Sequence, residues 1–91
     1  MEGQTMIKKR ASYAVIASER FLALPNDTQA LYLALAAKCN TEGFIDPYAL
    51  FATYPFKEAD LQQLIDNQFV EKVENGVKVK IDTYEMGGKK S

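Results

Sequence analysis

Phe69-Val70-Glu71-Lys72-Val73-Glu74-Asn75-Gly76-Val77-Lys78-Val79-Lys80-Ile81 is the stretch that decides the fold. Apolar and charged residues intermix on both sides of Asn75-Gly76, a short-range hairpin signal. Two registers compete. A two-residue Asn75-Gly76 loop pairs Val73 with Lys78 and leaves each face mixed. A three-residue loop, Glu74-Asn75-Gly76 with Gly76 left-handed, pairs Val73 with Val77 and Phe69 with Ile81. The second gathers Phe69, Val73, Val77, Val79 and Ile81 on one face, and the face that must be buried sets the register. The three-residue loop is therefore the expectation. It turns Val70, Lys72, Lys78 and Lys80 outward and sets Lys72 opposite Lys78, a like-charge pair that costs stability unless something anionic covers it.

Upstream of the hairpin, Leu61, Leu64 and Ile65 fall at i, i+3, i+4, so residues 58–67 read as an amphipathic helix. Asp60, Gln62, Gln63, Asp66 and Asn67 lie off its apolar face. A turn, Pro55-Phe56-Lys57, precedes it. Asp46-Pro47 starts another helix, which carries Tyr48, Leu50, Phe51 and Tyr54 and must stop before Pro55. Phe44-Ile45 is long enough for a short strand. Before it, Asn26 reads as an N-cap, with Asp27 in the first turn and Gln29 at capping-box spacing. That helix runs to Cys39, and its Ala30-Leu31-Tyr32-Leu33-Ala34-Leu35-Ala36-Ala37 core predicts the central, most buried element. Cys39 belongs to its buried side as a small core residue. Ser18 caps a short helical turn that Pro25 ends. Residues 12–17 read as strand, residues 1–11 as a flexible basic arm, and residues 85–91 as a flexible basic tail.

Helix, short strand, helix, turn, helix and hairpin is the order of an α+β winged helix-turn-helix domain. It would span residues 12–84, with three main helices, a short N-terminal helix, and a two-stranded β-wing joined by a short third strand.

Three stretches sharpen this reading: Ser18-Glu19-Arg20-Phe21-Leu22-Ala23-Leu24-Pro25, then Thr28-Gln29-Ala30-Leu31-Tyr32-Leu33, then Glu42-Gly43-Phe44-Ile45. With Asp60-Leu61-Gln62-Gln63-Leu64-Ile65, Phe69-Val70 and Gly76-Val77-Lys78-Val79-Lys80-Ile81, their order and spacing resemble the N-terminal winged-helix domain of phage replisome-organiser and DnaD-like replication initiation proteins. The resemblance covers residues 13–84. It implies a DNA-binding module that starts or organises replication on phage or bacterial templates, with DNA and replication proteins as partners.

Composition narrows the chemistry. The 91 residues hold no histidine and one cysteine, so an intrachain disulfide, a His/Cys zinc site and His-dependent nucleophiles are excluded. The expectation is a non-enzyme without metal, cofactor or small-molecule ligand. Without an apolar run long enough to cross a bilayer, an intracellular, cytoplasmic protein is expected, with no membrane partner. The net charge of −1 is an average. Residues 1–25 carry +2 (Lys8, Lys9, Arg10 and Arg20 against Glu2 and Glu19). Residues 26–66 carry −4 (Lys38 and Lys57 against Asp27, Glu42, Asp46, Glu58, Asp60 and Asp66). Residues 67–91 carry +1 (five lysines against Glu71, Glu74, Asp82 and Glu85).

Phosphate neutralisation needs several cations on one face. The candidate nucleic-acid contacts are therefore Lys72, Lys78 and Lys80 of the wing, Lys57, and the arm residues Lys8, Lys9 and Arg10. Gln62, Gln63 and Asn67 are the side chains of the third helix with geometry to read adenine. Asp60 and Asp66 on that helix repel phosphate, so contact through the wing and the basic ends is expected to dominate. The alternative is a protein-interaction or self-assembly module on the same fold, with Phe56, Tyr54 and Asp60 at its interface. Phe56 is the aromatic most expected to be exposed.

Overall fold

The computed structural model describes residues 6–86 of the chain. In order these form β1 (Met6–Ala11), α1 (Tyr13–Ile16), α2 (Glu19–Leu22), α3 (Asn26–Lys38), β2 (Phe44–Ile45), α4 (Tyr48–Phe51), α5 (Glu58–Asp66), β3 (Val70–Val73), β4 (Gly76–Val79) and β5 (Ile81–Met86). This is an α+β domain with two antiparallel sheets: a ribbon β1-β5, and a three-stranded sheet in the order β2-β4-β3.

Helix α3 is the hub. It buries Thr28, Leu31, Tyr32, Leu35 and Ala36, residues at helical spacing that face the rest of the chain. It is not enclosed all round, as its composition predicts. Ala30, Leu33 and Ala37 lie in solvent, because a chain this short packs on one side of the helix only. Its ends are closed from a distance. Asn26 is the first helical residue and makes no side-chain cap. Gln29 instead turns its amide back onto the carbonyls of Leu22 (3.1 Å) and Leu24 (2.9 Å), bracing the end of α2. At the other end the Lys9 ammonium donates to the carbonyls of Ala36 (3.1 Å) and Ala37 (2.6 Å), two of the acceptors a helix C-terminus leaves open. Ser18 caps α2 as expected, accepting from the Phe21 N–H at 3.1 Å.

The N-terminal segment departs from expectation. Residues 6–11 are not a loose arm. They pair along their whole length with β5, from Met6 opposite Met86 to Ala11 opposite Ile81. The partner strand lies some seventy residues away in sequence, so no local pattern announces it. The domain accordingly begins before residue 12 and takes in Glu85 and Met86, placed by sequence in the tail. The rest of the expected arm and tail, residues 1–5 and 87–91, lies outside the described residues. Residues 12–17 form the helical turn α1 and not a strand, because β1 stops at Ala11, where the Ser12 N–H leaves the ladder to donate to the Tyr32 hydroxyl (3.0 Å).

That hydroxyl in turn donates to the Lys80 carbonyl, between β4 and β5. Tyr32 thus ties both strands of the ribbon to α3. Its ring stacks edge-on against Phe21 (5.3 Å), which meets Phe69 the same way (5.7 Å). Burial pushes the Tyr32 hydroxyl above its usual value of 10.0, opposed by the Ser12 N–H and reinforced by the Asp82 charge.

The hairpin adopts neither of the two registers weighed from sequence. Val73 pairs with Gly76, Lys72 with Val77, Glu71 with Lys78 and Val70 with Val79, so the connection is Glu74-Asn75. The cause is β2. Gly76 (φ +150°) is a strand residue pressed against it, where a Cβ would lie 2.4 Å from the Ile45 carbonyl oxygen. The glycine serves this close approach and not the loop. Val70, Val77 and Val79 are buried, while Ile81 leaves this sheet to begin β5. The expected Lys72–Lys78 repulsion does not arise, since Lys78 faces Glu71 and Lys72 faces Val77. Gly43 (φ +95°) makes a second close approach, 2.6 Å from a virtual Cβ to the Val79 oxygen.

Helix α4 is a single turn, shorter than the sequence predicts. It opens where the Asp46 carboxylate accepts the Tyr48 N–H (3.1 Å). Helix α5 ends in a Schellman motif, with the Phe69 N–H on the Leu64 carbonyl (3.0 Å) and the Gln68 N–H on the Ile65 carbonyl (2.9 Å). Gln68 holds the left-handed position (φ 66°) that glycine usually fills.

Replacing Tyr32 by Phe leaves the buried Ser12 N–H and the Lys80 carbonyl without their partner, and urea denaturation should show a loss of about 1–3 kcal/mol. The wild type binds the Tyr32 proton more tightly folded than unfolded. Its contribution is therefore intact below about pH 10 and lost as pH rises beyond, and Tyr32→Phe should flatten that alkaline decline. Gln68→Gly should raise stability by about 0.5–1 kcal/mol by relieving the left-handed backbone, whereas Gln68→Val should lower it.

Candidate nucleic-acid interface

Lys72, Lys78 and Lys80 come together. All three line one open groove of about 760 Å³ across the hairpin, with Gln68, Thr41 and Thr83 supplying further polar groups. Strand alternation sends Lys72 and Lys78 to opposite faces of the hairpin, and the groove is lined by residues of both faces. Glu42 and Glu71 also line it, so cations lead acids by one. Lys78 additionally sits 5.7 Å from the ring centre of Phe44, its cross-strand partner, and Phe44 is exposed. The groove therefore offers ammonium groups and hydroxyl and amide donors to a polyanion, with an aromatic face beside it.

The other sequence candidates divide. Lys9 is committed to the C-terminus of α3 and is half-buried. Lys8 and Arg10 share the outer face of the ribbon with Tyr84, and the Arg10 guanidinium lies 5.5 Å from the Tyr84 ring centre. Lys57 is exposed at the start of α5 and does not line the groove.

Helix α5 is largely turned to the protein's own use. The Thr28 hydroxyl, fully buried on α3, donates to Asp60 (3.0 Å) and accepts from the Gln63 amide (3.5 Å). The second Asp60 oxygen accepts the Lys57 N–H (3.3 Å), closing a helix start that lysine cannot cap. Asp60 thus locks α5 to α3. Asn67 donates to the Gln63 carbonyl (2.8 Å), and its own carbonyl takes the Arg20 guanidinium, which lies over Phe69 at 5.2 Å. Of the three side chains expected to read bases, Gln62 alone is exposed, and its amide is bonded to Asp66 (2.8 Å).

The aromatic order is also reversed. Phe56 is half-buried against the core and tilted on Tyr54 (5.9 Å), so Tyr54 is the exposed member. Cys39 is buried as expected, and burial pushes its thiol up. Among the described residues no group of three or more acidic or cysteine side chains is arranged to hold a metal ion, and no helix is long and apolar enough to cross a membrane. Sequence reading missed Thr41, Gln68 and Thr83, which no local pattern marks out, since only folding brings them to the groove.

Comparison of the chain with protein-family models, curated proteins and solved structures found no match.

Lys9→Met tests the division of the cations. It should lower stability by about 0.5–1 kcal/mol through loss of the helix-end contact. It should leave the salt dependence of any nucleic-acid binding unchanged in an anisotropy titration.

Proposed function

We propose that the chain is a winged helix-turn-helix module that holds DNA through phosphate contacts of its wing and serves the initiation or organisation of DNA replication. The order α3, β2, α4, α5 and hairpin, with β2 laid against β4, supports the fold assignment. The convergence of Lys72, Lys78 and Lys80 on one groove carries the DNA reading. The replication role rests on the resemblance of the sequence to replisome-organiser and DnaD-like domains. In this reading α5 does not read bases. Its amides are engaged within the protein, and Asp66 stands beside the one that is exposed. Affinity is then electrostatic and tolerant of sequence.

The outward side of α3 favours a second reading, a protein-interaction or self-assembly module. Leu33 is 47% exposed there, between the exposed Ala30 and Ala37. Light scattering that shows a clean monomer at high concentration, with no partner in a pull-down, would remove it.

Anisotropy with labelled duplex DNA, at about 50 and 200 mM salt, tests the first reading. The wild type should bind more weakly at the higher salt. The triple variant Lys72→Ala/Lys78→Ala/Lys80→Ala should lose most of the affinity, and its log–log salt slope should flatten by about 0.9 for each phosphate contact removed. Gln62→Ala should change little. An absence of binding at the lower salt, or an unchanged triple variant, overturns the reading.

A further inference from the structure

A second groove, of about 500 Å³, runs between α5 and the hairpin. Its floor is apolar, made by Leu61, Ile65 and Val77. Its rim is not that of a phosphate site. Asp46, Glu58 and Glu74 stand around it against the single cation Lys72. Tyr48 also lines it, more than half exposed, and the nearby Glu58 carboxylate holds its hydroxyl above the usual value. The Tyr48 ring is fixed edge-on against Phe51 at 5.4 Å, so an aromatic face is held at the mouth of the groove.

We infer that this groove docks an extended segment of a partner protein that alternates lysine or arginine with apolar residues. The chemistry selects the occupant. Net negative charge at the rim repels a nucleic-acid backbone and attracts ammonium and guanidinium groups. The Tyr48 face offers a cation–π contact, and the Leu61–Ile65–Val77 floor takes the alternate apolar side chains. Lys72 lies on the boundary between the two grooves, lining both. The hairpin then presents lysines to a polyanion on one side and carboxylates to a polycation on the other.

The test uses the full chain and a short fluorescein-labelled peptide of alternating arginine and leucine, with a glutamate–leucine peptide as control. The wild type should bind the basic peptide in preference to the acidic one. The variant Asp46→Asn/Glu58→Gln/Glu74→Gln should weaken binding about tenfold, as expected for three exposed ion pairs. Neutralising acids elsewhere, Glu19→Gln/Asp27→Asn, should leave it unchanged, and Lys72→Ala should strengthen it. Methyl resonances of Leu61, Ile65 and Val77 should shift on titration. Equal binding of both peptides, an equal loss in the Glu19/Asp27 variant, or shifts confined to other methyls overturns the proposal. The readout is peptide and not DNA, so its failure is distinct from failure of the wing-lysine reading.

Discussion

A single phenol hydroxyl holds the two ends of this domain on its central helix. Tyr32 accepts from the Ser12 N–H and donates to the Lys80 carbonyl, so the exit of β1 and the entry to β5 are fixed at one buried point on α3. The Ser12 N–H is buried there, and the hydroxyl is its partner. The ribbon pairing, the Lys9 closure of α3 and the Phe21–Phe69 aromatic contacts are all assembled around it. Among the described residues no buried side-chain nitrogen or oxygen lacks a hydrogen-bond partner, so this polar centre is complete and not a residue of poor packing.

A second polar lock joins the helices. Buried Thr28 on α3 meets Asp60 and Gln63 on α5. Its effect on function is subtractive. It takes from α5 the Asp60 carboxylate and the Gln63 amide, which are bonded to Thr28. The two grooves beside the hairpin differ in sign. One gathers Lys72, Lys78 and Lys80, and the other gathers Asp46 ahead of α4, Glu58 of α5 and Glu74 of the turn. A net charge of −1 conceals this separation.

Much of the helical part was legible locally. Pro25 and Pro55, the Ser18 cap, Asp46-Pro47 and the 61–64–65 spacing are short-range signals, and each marks a boundary near the observed one. The three wing lysines were legible as a set, because they sit in one short stretch. What failed were inferences about pairing. The hairpin register was chosen to gather the most apolar residues on one face, but a third strand had the deciding vote: Gly76 must touch Ile45, and this moves the loop to Glu74-Asn75. Likewise Asp60, Gln63 and Asn67 looked free only because their partners, Thr28 and the helix's own carbonyls, are a matter of packing.

The sequence alone therefore determined the α+β class, the position of α2, α3 and α5, the absence of histidine chemistry and the candidate cations, since all of these depend on composition or on residues a few positions apart. Tertiary structure decided which cations remain free. Lys8, Lys9 and Arg10 read as one basic cluster, yet β1 turns successive side chains to opposite faces, sending Lys9 to the end of α3 and Lys8 and Arg10 to the outer face beside Tyr84. That outcome required a partner strand from the far end of the chain, and only closure of the whole fold supplies one.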